Sequence, residues 1–341
     1  MEIPIYIVGS EPFSEWERRN GHPTSIALQG EVPGILFCQF AREFDYSNYK
    51  YISVEGLTVL DYGDEDEDEY EYEEEDNDED EFEIEVDDKF EEGLRNLVCT
   101  SGCQLFEMYK VYLNAATNKE FVVSDGCIFS ADKKTLVHIP EAPVIEIPDF
   151  VEHIGAAACC GYEKMSSLIL HDGLKTIGKW AFISAEFSVL RLPDSVTTLG
   201  ECAFLMSGVE RVYLSNSLEA IPDECFNLCF IEEFSIPPSV KAIGNYSLTG
   251  LLLMEEIDVP EGVESIGYYA FNQMNRVSLP STLKSIEPDF YYEECIDVPD
   301  YPPYITVHPD NKTFVSKDGS LYFRESGKLA IDSAYHGQPH N

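Results

Sequence analysis

The chain has 341 residues, of which 44% are apolar, and its 64 acidic against 22 basic residues give a formal net charge of −42. That length and apolar share are ample for a buried core, whereas so acidic a chain is disfavoured as a partner of nucleic acid or of anionic membrane surfaces. No apolar run approaches the roughly 18 residues of a membrane-spanning helix, so no membrane insertion is expected.

Residues 1–60 are predicted to form a small α+β unit. Residues 3–8, 34–40 and 49–60 favour strands, and residues 14–19 favour a short helix that ends near Gly21. We expect this unit to cap the structure that follows, because a repeat array needs a cap over its terminal core. The opening residues lack the basic and long apolar segments of a signal peptide.

Residues 61–92 hold 22 of the acidic residues against one lysine. Like charges repel, so the run favours a disordered, solvated loop. A histone-mimicking or cation-collecting tail is the alternative. The end of the run, residues 82–86, alternates apolar and acidic side chains, which would suit an edge strand whose charges discourage pairing.

Two near-copies of one motif enclose the middle of the chain. Residues 118–129 and 311–322 each place an Asp-Gly pair between apolar runs, and Asp-Gly in that setting predicts a tight hairpin turn. We therefore expect hairpins near residues 113–139 and 307–331. A degenerate repeat unit is expected at residues 94–112, an exit from the regular repeats at residues 300–303, and a frayed tail at residues 333–341.

Between these hairpins, residues 145–291 repeat every 22 or 23 residues, with a shorter last step of 20. A fixed period of that size indicates a solenoid, in which stacked units share one core. Three apolar series keep in phase over seven units. They are Ile154, Ile177, Leu199, Ile221, Ile243, Ile266 and Ile286; Ile147, Leu170, Leu192, Leu214, Ile236, Val259 and Leu279; and Cys159, Phe182, Phe204, Phe226, Leu248, Phe271 and Tyr291.

One unit is predicted to run as a strand, a turn, a short helical turn and a return. Arg191 alternates with Leu190 and Leu192, as in a half-buried strand. Pro193 ends that strand, because proline cannot donate to a ladder. Gly200 indicates a tight backbone turn, and the Ala-Phe pair after it suits one helical turn against a thin core.

The pattern I-x-L-P, about five residues, then I-G-x-x-A-F, resembles the BspA-type class of leucine-rich repeats over residues 94–331. Its glycine is missing at Pro222 and Glu287. The resemblance implies an α/β repeat solenoid over residues 93–332, with a parallel β-sheet on one face and short helices or turns on the other. It also implies binding rather than catalysis.

Ten cysteines are scattered along the chain without a disulfide framework, which favours a reducing compartment. We therefore expect a cytoplasmic protein, with the cell surface as the alternative if a leader peptide was removed. Cys99 and Cys103 have the spacing of half a zinc site, but no second pair or histidine cluster accompanies them. No metal or cofactor is predicted. Neither H-E-x-x-H nor G-x-S-x-G occurs, and the chain is not expected to be an enzyme.

The outward positions of the predicted sheet form the candidate ligand surface, because the sheet face of a solenoid is its extended binding surface. A basic and aromatic patch is expected beside an acidic one, with mutual pairing of these side chains as the alternative. The candidate binding residues are Arg191, Arg211, Tyr213, Glu233, Asp258 and Arg276.

The predicted function is a protein- or peptide-binding module of adhesin-like type, with a protein or peptide ligand and with a monomer as the favoured state. A non-catalytic accessory domain of an enzyme or surface complex is the alternative. A hydrolase with an unrecognised site is the third.

Overall fold

The computed structural model describes residues 3–8, 10–21, 23–33, 40, 44–60, 110–111, 113–249, 251, 253–271, 274–287 and 304–331. The chain divides into two units, residues 1–124 and residues 125–341. Several sequence predictions lie outside the described residues: the acidic run at residues 61–92, nearly all of the degenerate unit at residues 94–112, the exit at residues 300–303 and the tail at residues 333–341, with Cys38, Cys99, Cys103, Tyr291 and Cys295.

The first unit is a small sheet with an aromatic core. Its elements are β1 (Ile5–Ile7), α1 (Phe13–Asn20), β2 (Ser25–Pro33), a 3-10 helix (Tyr46–Asn48), β3 (Tyr51–Ser53), β4 (Leu57–Leu60) and β5 (Glu120–Ser124). Strand β2 pairs in parallel with β1, β3 and β4, and β3 pairs antiparallel with β5. The rings of Tyr6, Phe13 and Trp16 contact one another at centroid distances of 5.1–5.7 Å, which places the core between the sheet and α1.

The predicted helix is present as α1, with Gly21 as its C-cap. The segment at residues 49–60 holds two strands instead of one, because the chain turns at Gly56, whose φ is +86°. Strand β2 was not predicted. The strand predicted at residues 34–40 lies outside the described residues except for Phe40, which is helical.

The second unit begins with an antiparallel pair, β6 (Cys127–Ser130) and β7 (Thr135–His138). Each repeat that follows, called a coil here, contributes one strand to each of two ladders. The first ladder is β8 (Val144–Glu146), β10 (Ser167–Ile169), β12 (Val189–Arg191), β14 (Arg211–Tyr213), β16 (Glu233–Ser235), β18 (Glu256–Asp258), β20 (Arg276–Leu279) and β22 (Tyr304–Val307). The second is β9 (His153–Ile154), β11 (Thr176–Ile177), β13 (Thr198–Leu199), β15 (Ala220–Ile221), β17 (Ala242–Ile243), β19 (Ser265–Ile266) and β21 (Ser285–Ile286).

All strand pairs within the two ladders are parallel. The first ladder comprises the sheets β8-β10, β12-β14-β16 and β18-β20-β22, and the second runs through β9-β11-β13 and β15-β17-β19-β21. The repeat solenoid with a parallel β-sheet that the sequence predicted is thus confirmed. The second ladder was missed, because a two-residue strand is too short to show the alternation by which strands are recognised.

Every described member of the three apolar series predicted to form the core is buried, except Leu170 and Leu214, which are half-buried. Phe182, Phe204 and Phe226 stack in a column, one ring per coil, with centroid distances of 5.4 and 5.2 Å and interplanar angles of 1°. All three side chains are fully buried. Stacked coils therefore share one continuous core, as the repeat period indicated.

The sequence predicted either short helices or turns on the face opposite the first ladder, and the structure has turns there. Among the described residues from 125 to 287 there is no helix. The residue at one fixed position of each turn has a positive φ although it is not glycine. These residues are Ala157, Trp180, Cys202, Glu224, Tyr246 and Tyr269, with φ between 50° and 60°. Left-handed backbone is costly for residues with a Cβ, so the packing of neighbouring coils must enforce it.

The repeated glycine is needed for close approach between coils and not for a special φ. A Cβ added at Gly200 would lie 2.5 Å from the carbonyl carbon of Gly178, and one added at Gly267 would lie 2.7 Å from the nitrogen of Asn245. Where Pro222 replaces this glycine, the second ladder is interrupted between β13 and β15. Proline has no N–H to donate to the preceding coil, whereas Gly200 and Gly244 each donate to such a carbonyl at 2.8 Å.

The predicted C-terminal hairpin is present as β23 (Phe314–Lys317) and β24 (Ser320–Phe323), followed by β25 (Leu329–Ile331). Asp318 and Gly319 have φ of 52° and 86°, as in a tight hairpin turn with two left-handed residues. Buried Asn311 joins this hairpin to the last coil. Its amide donates to Pro280 O and Leu283 O and accepts from the N–H groups of Thr313 and Phe314.

Candidate functional site

The first ladder presents the side chains that the alternation predicted. The central residue of most strands, such as Leu190, Val212 or Phe234, is buried, whereas Leu168 of β10 is half-buried. The two neighbours of the central residue point the other way, so that Arg191, Arg211 and other flanking residues are exposed. Side chains of successive strand residues leave opposite faces of a sheet, and one face of this ladder is therefore open to solvent.

Strands β12, β14 and β16 bring four of the six candidate residues together. The register places Arg191 beside Tyr213 and places Arg211 beside Glu233. The guanidinium of Arg191 lies over the ring of Tyr213, 3.8 Å from its centroid. The hydroxyl of Tyr213 donates to Glu233 Oε2 at 3.0 Å. Arg191, Arg211, Tyr213 and Glu233 are called the arginine–tyrosine group below.

Arg211 is the open member of the arginine–tyrosine group. It is exposed, and its guanidinium has neither an ion pair nor a hydrogen bond to any described residue, although Glu233 is its partner in the strand register. The Glu233 carboxylate reaches across to Tyr213 instead. An exposed, unpaired guanidinium offers five N–H donors in a planar fork that matches a carboxylate.

The other two candidate residues lie on the sheet β18-β20-β22. Arg276 pairs with Glu256 at 3.8 Å and lies over the ring of Tyr304, 5.6 Å from its centroid. Asp258 is exposed and has no ion pair within the described part of the chain. The structure thus gives two arginine–aromatic pairs on one ladder, in separate sheets. Tyr304 was missed, because it lies 28 residues after Arg276 and so outside the repeat period.

The outward positions near the first strands include three apolar side chains, beside Glu146 and Ser167. Val144 is 53% exposed and Ile169 is 45% exposed, and Val189 is half-buried next to them on β12. Val144 was missed because the outward columns were read from the second strand onward. Large exposed apolar side chains that cluster indicate an interaction surface.

The second ladder carries ion pairs between coils. The carboxylate of Glu152 bonds Lys134 Nζ at 2.7 Å and also bonds Lys175 Nζ. These hydrogen bonds, that of Lys134 first and that of Lys175 second, lower the pKa of Glu152 to about 2. This cluster joins three successive coils, and both of its cations are occupied by the carboxylate.

Cys127, Cys225 and Cys229 are free thiols. Burial raises the pKa of Cys225 well above its usual range, and burial also raises the pKa of Cys229, to about 11. A protonated, buried thiol is a poor nucleophile. Over the described residues, no three His, Cys, Asp or Glu side chains are grouped so that they could hold a metal ion. No helix in the described ranges has the length and apolarity to cross a bilayer.

The family model for the BspA type leucine rich repeat region matches residues 138–253 and 243–305, in six copies. No curated protein matches the sequence. Among solved structures, a leucine-rich repeat protein from Eubacterium ventriosum is similar, with 14% identity and a TM-score of 0.40 over 56% of this chain. One from Bacteroides ovatus has 17% identity and a TM-score of 0.28 over 49% of this chain.

A leucine-rich cell surface protein from Faecalibacterium prausnitzii is similar at 16% identity, with a TM-score of 0.32, over 49% of this chain and 72% of its own. This chain covers 54% of the Eubacterium ventriosum protein and 65% of the Bacteroides ovatus protein. The copies of the family model coincide with the coils described above, from β7 to β22. The chain is therefore a BspA-type leucine-rich repeat protein.

Proposed function

We propose that this chain is a protein- or peptide-binding module, adhesin-like in its use of an open sheet face, and that it carries out no catalysis of its own. The observation that carries the proposal is the arginine–tyrosine group on the face of β12-β14-β16. Its Arg191–Tyr213 stack is ordered by the fold, and Arg211 is exposed without an ion-pair partner among the described residues. Arginine and tyrosine are the residues most enriched at the energetic centres of protein interfaces.

The absence of enzymatic activity is part of this proposal. Protonated, buried thiols such as Cys225 and Cys229 support it, because they lack the thiolate that a cysteine nucleophile needs. A hydrolase screen of the purified chain tests this part. Turnover that disappears on a single substitution would contradict it.

Binding is tested by capture of partner proteins with immobilised wild-type chain and with the double variant Arg191→Ala/Tyr213→Ala. We expect the double variant to lose partners while keeping its circular dichroism spectrum and melting temperature, because both side chains lie on an open face. Arg276→Ala/Tyr304→Ala is the matched control on the other sheet, and Lys284→Ala is the control on the second ladder. Equal capture by all four proteins would refute the role of this face.

The compartment is proposed separately. Free thiols at Cys127, Cys225 and Cys229 suit a reducing interior, and the cell surface is the alternative. Labelling of intact cells with a membrane-impermeant reagent, followed by fractionation, distinguishes the two.

A further inference from the structure

We infer that the arginine–tyrosine group and the apolar residues before it bind an extended acidic segment that carries an apolar anchor. The surface consists of Val144, Ile169, Val189, Arg191 and Arg211, called the anchor surface below. This inference rests on the proposed binding function and names the chemistry of its partner.

Two exposed arginines without an ion pair to described residues lie on the neighbouring strands β12 and β14 of a chain that has 64 acidic against 22 basic residues. Lys134, Lys175 and Lys284 are each paired with a glutamate from the neighbouring coil. Arg191 and Arg211 have no ion pair to any residue that the structure describes. The anchor surface is thus a local cationic spot that an anionic group from outside can occupy.

Arg191 is oriented so that its guanidinium can bind a carboxylate. Its guanidinium lies against the Tyr213 ring at 3.8 Å, so that one flat side is covered while the N–H groups at its rim stay available. The Tyr213 hydroxyl is already bonded to Glu233, which holds the ring in place. Stacking lowers the conformational freedom that Arg191 would lose on binding, and its rim matches the two oxygens of a carboxylate.

Apolar side chains adjoin the two arginines on the side of β8 and β10. Val144 and Ile169 are exposed on β8 and β10, and Val189 adjoins Arg211 in the strand register. An apolar ligand side chain placed there is removed from water next to the guanidinium groups. On the other side, Glu233 and Glu256 are exposed and repel a second carboxylate. The charges therefore set the direction of the ligand, with the apolar anchor toward β8 and the acid over β12 and β14.

Strand spacing gives the expected separation between the two ligand groups. Neighbouring strands lie about 4.8 Å apart, and an extended peptide advances about 3.3 Å per residue. Two to three strand steps separate β8 and β10 from β14. That is roughly 10–14 Å, which an extended segment spans in about three to four residues.

The test is an array of nine-residue peptides, each with one leucine and one aspartate separated by one to six neutral residues. A second array replaces the aspartate by asparagine, and a third replaces it by lysine. We expect the wild-type chain to prefer the aspartate peptides in which two to three neutral residues lie between leucine and aspartate, so that the two side chains are three to four residue steps apart. Arg191→Gln and Arg211→Gln should each weaken that binding about tenfold, as for the loss of a charge-assisted hydrogen bond. Lys284→Gln, which removes a cation beside the second ladder, should leave it unchanged.

Preference for the lysine array, or equal binding of aspartate and asparagine peptides, would overturn the inference. So would an array signal that survives both arginine variants. If partner capture depends on Arg191 and Tyr213 but no aspartate peptide is preferred, the acidic-segment inference fails while the binding function stands. If capture and array are both negative, the binding function fails as well. Sedimentation that shows self-association dependent on Arg211 would assign the surface to a second copy of the chain and equally refute the inference.

Discussion

Replacing Phe204 by alanine should destabilise the solenoid strongly. The side chain is fully buried, and its ring stacks between those of Phe182 and Phe226 at 5.4 and 5.2 Å. A buried phenylalanine-to-alanine change costs about 3–5 kcal/mol through lost transfer energy and a residual cavity. Because two stacked contacts, each worth about 0.5–1.5 kcal/mol, are lost together, we expect the upper half of that range.

The free energy of unfolding in urea measures this effect. Phe204→Leu keeps most of the apolar volume and should cost less, which separates cavity formation from loss of ring stacking. Phe230→Ala is the matched control, because Phe230 is 57% exposed and its loss should change stability by no more than about 0.5 kcal/mol. If Phe204→Ala lowers the free energy of unfolding by less than about 1 kcal/mol, with an unchanged slope against urea concentration, the reasoning that the coils share one core is wrong.

Three further predictions concern the coils and the acidic run. Gly200→Ala should destabilise by about 1–3 kcal/mol, because the new Cβ would meet the carbonyl carbon of Gly178 at 2.5 Å; an unchanged urea midpoint would contradict this. The lowered pKa of Glu152, about 2 against 4.5, contributes stability that is present above pH 4.5 and is lost as the pH falls toward 2. Melting temperatures should therefore fall less over that interval in Glu152→Gln than in the wild type, and parallel curves would count against the cluster. Deleting residues 63–80, a self-repelling acidic run, should leave the melting temperature nearly unchanged; a large drop would show that the run stabilises the folded chain.

The sequence predicted which residues of a coil point inward, because burial follows an apolar period that is visible in the letters. Leu190 and Phe204 are both buried as expected. The turn conformation could not be predicted. Trp180 and Glu224 adopt positive φ, although neither residue favours it, because the packing of neighbouring coils overrides local preference. The glycine at Gly200 was correctly singled out, but for the wrong reason, since contact with the preceding coil requires it.

At the candidate site, the sequence predicted the neighbours but not the pairings. The positions of Arg191, Tyr213 and Glu233 follow from strand spacing alone. Which acceptor a side chain selects depends on rotamers, which the sequence does not display. Hence the bond from Tyr213 to Glu233, and the lack of an ion pair between Glu233 and Arg211, could be seen only in the structure. Pairing among the candidates, the alternative expectation, is seen from Arg191 to Tyr213 and from Tyr213 to Glu233, and Arg276 pairs with Glu256.

The left-handed residues in the turns bear on how the chain can fold. Each such residue costs about 1–2 kcal/mol, and six equivalent positions carry one, from Ala157 to Tyr269. A single coil has no neighbour to offset that penalty, whereas two adjacent coils gain both a shared core and hydrogen bonds into the turn, such as Cys202 N–H to Asp223 O at 3.0 Å. Because of this strain, the smallest stable folded unit consists of several coils. A single repeat is therefore not expected to stay folded on its own during synthesis.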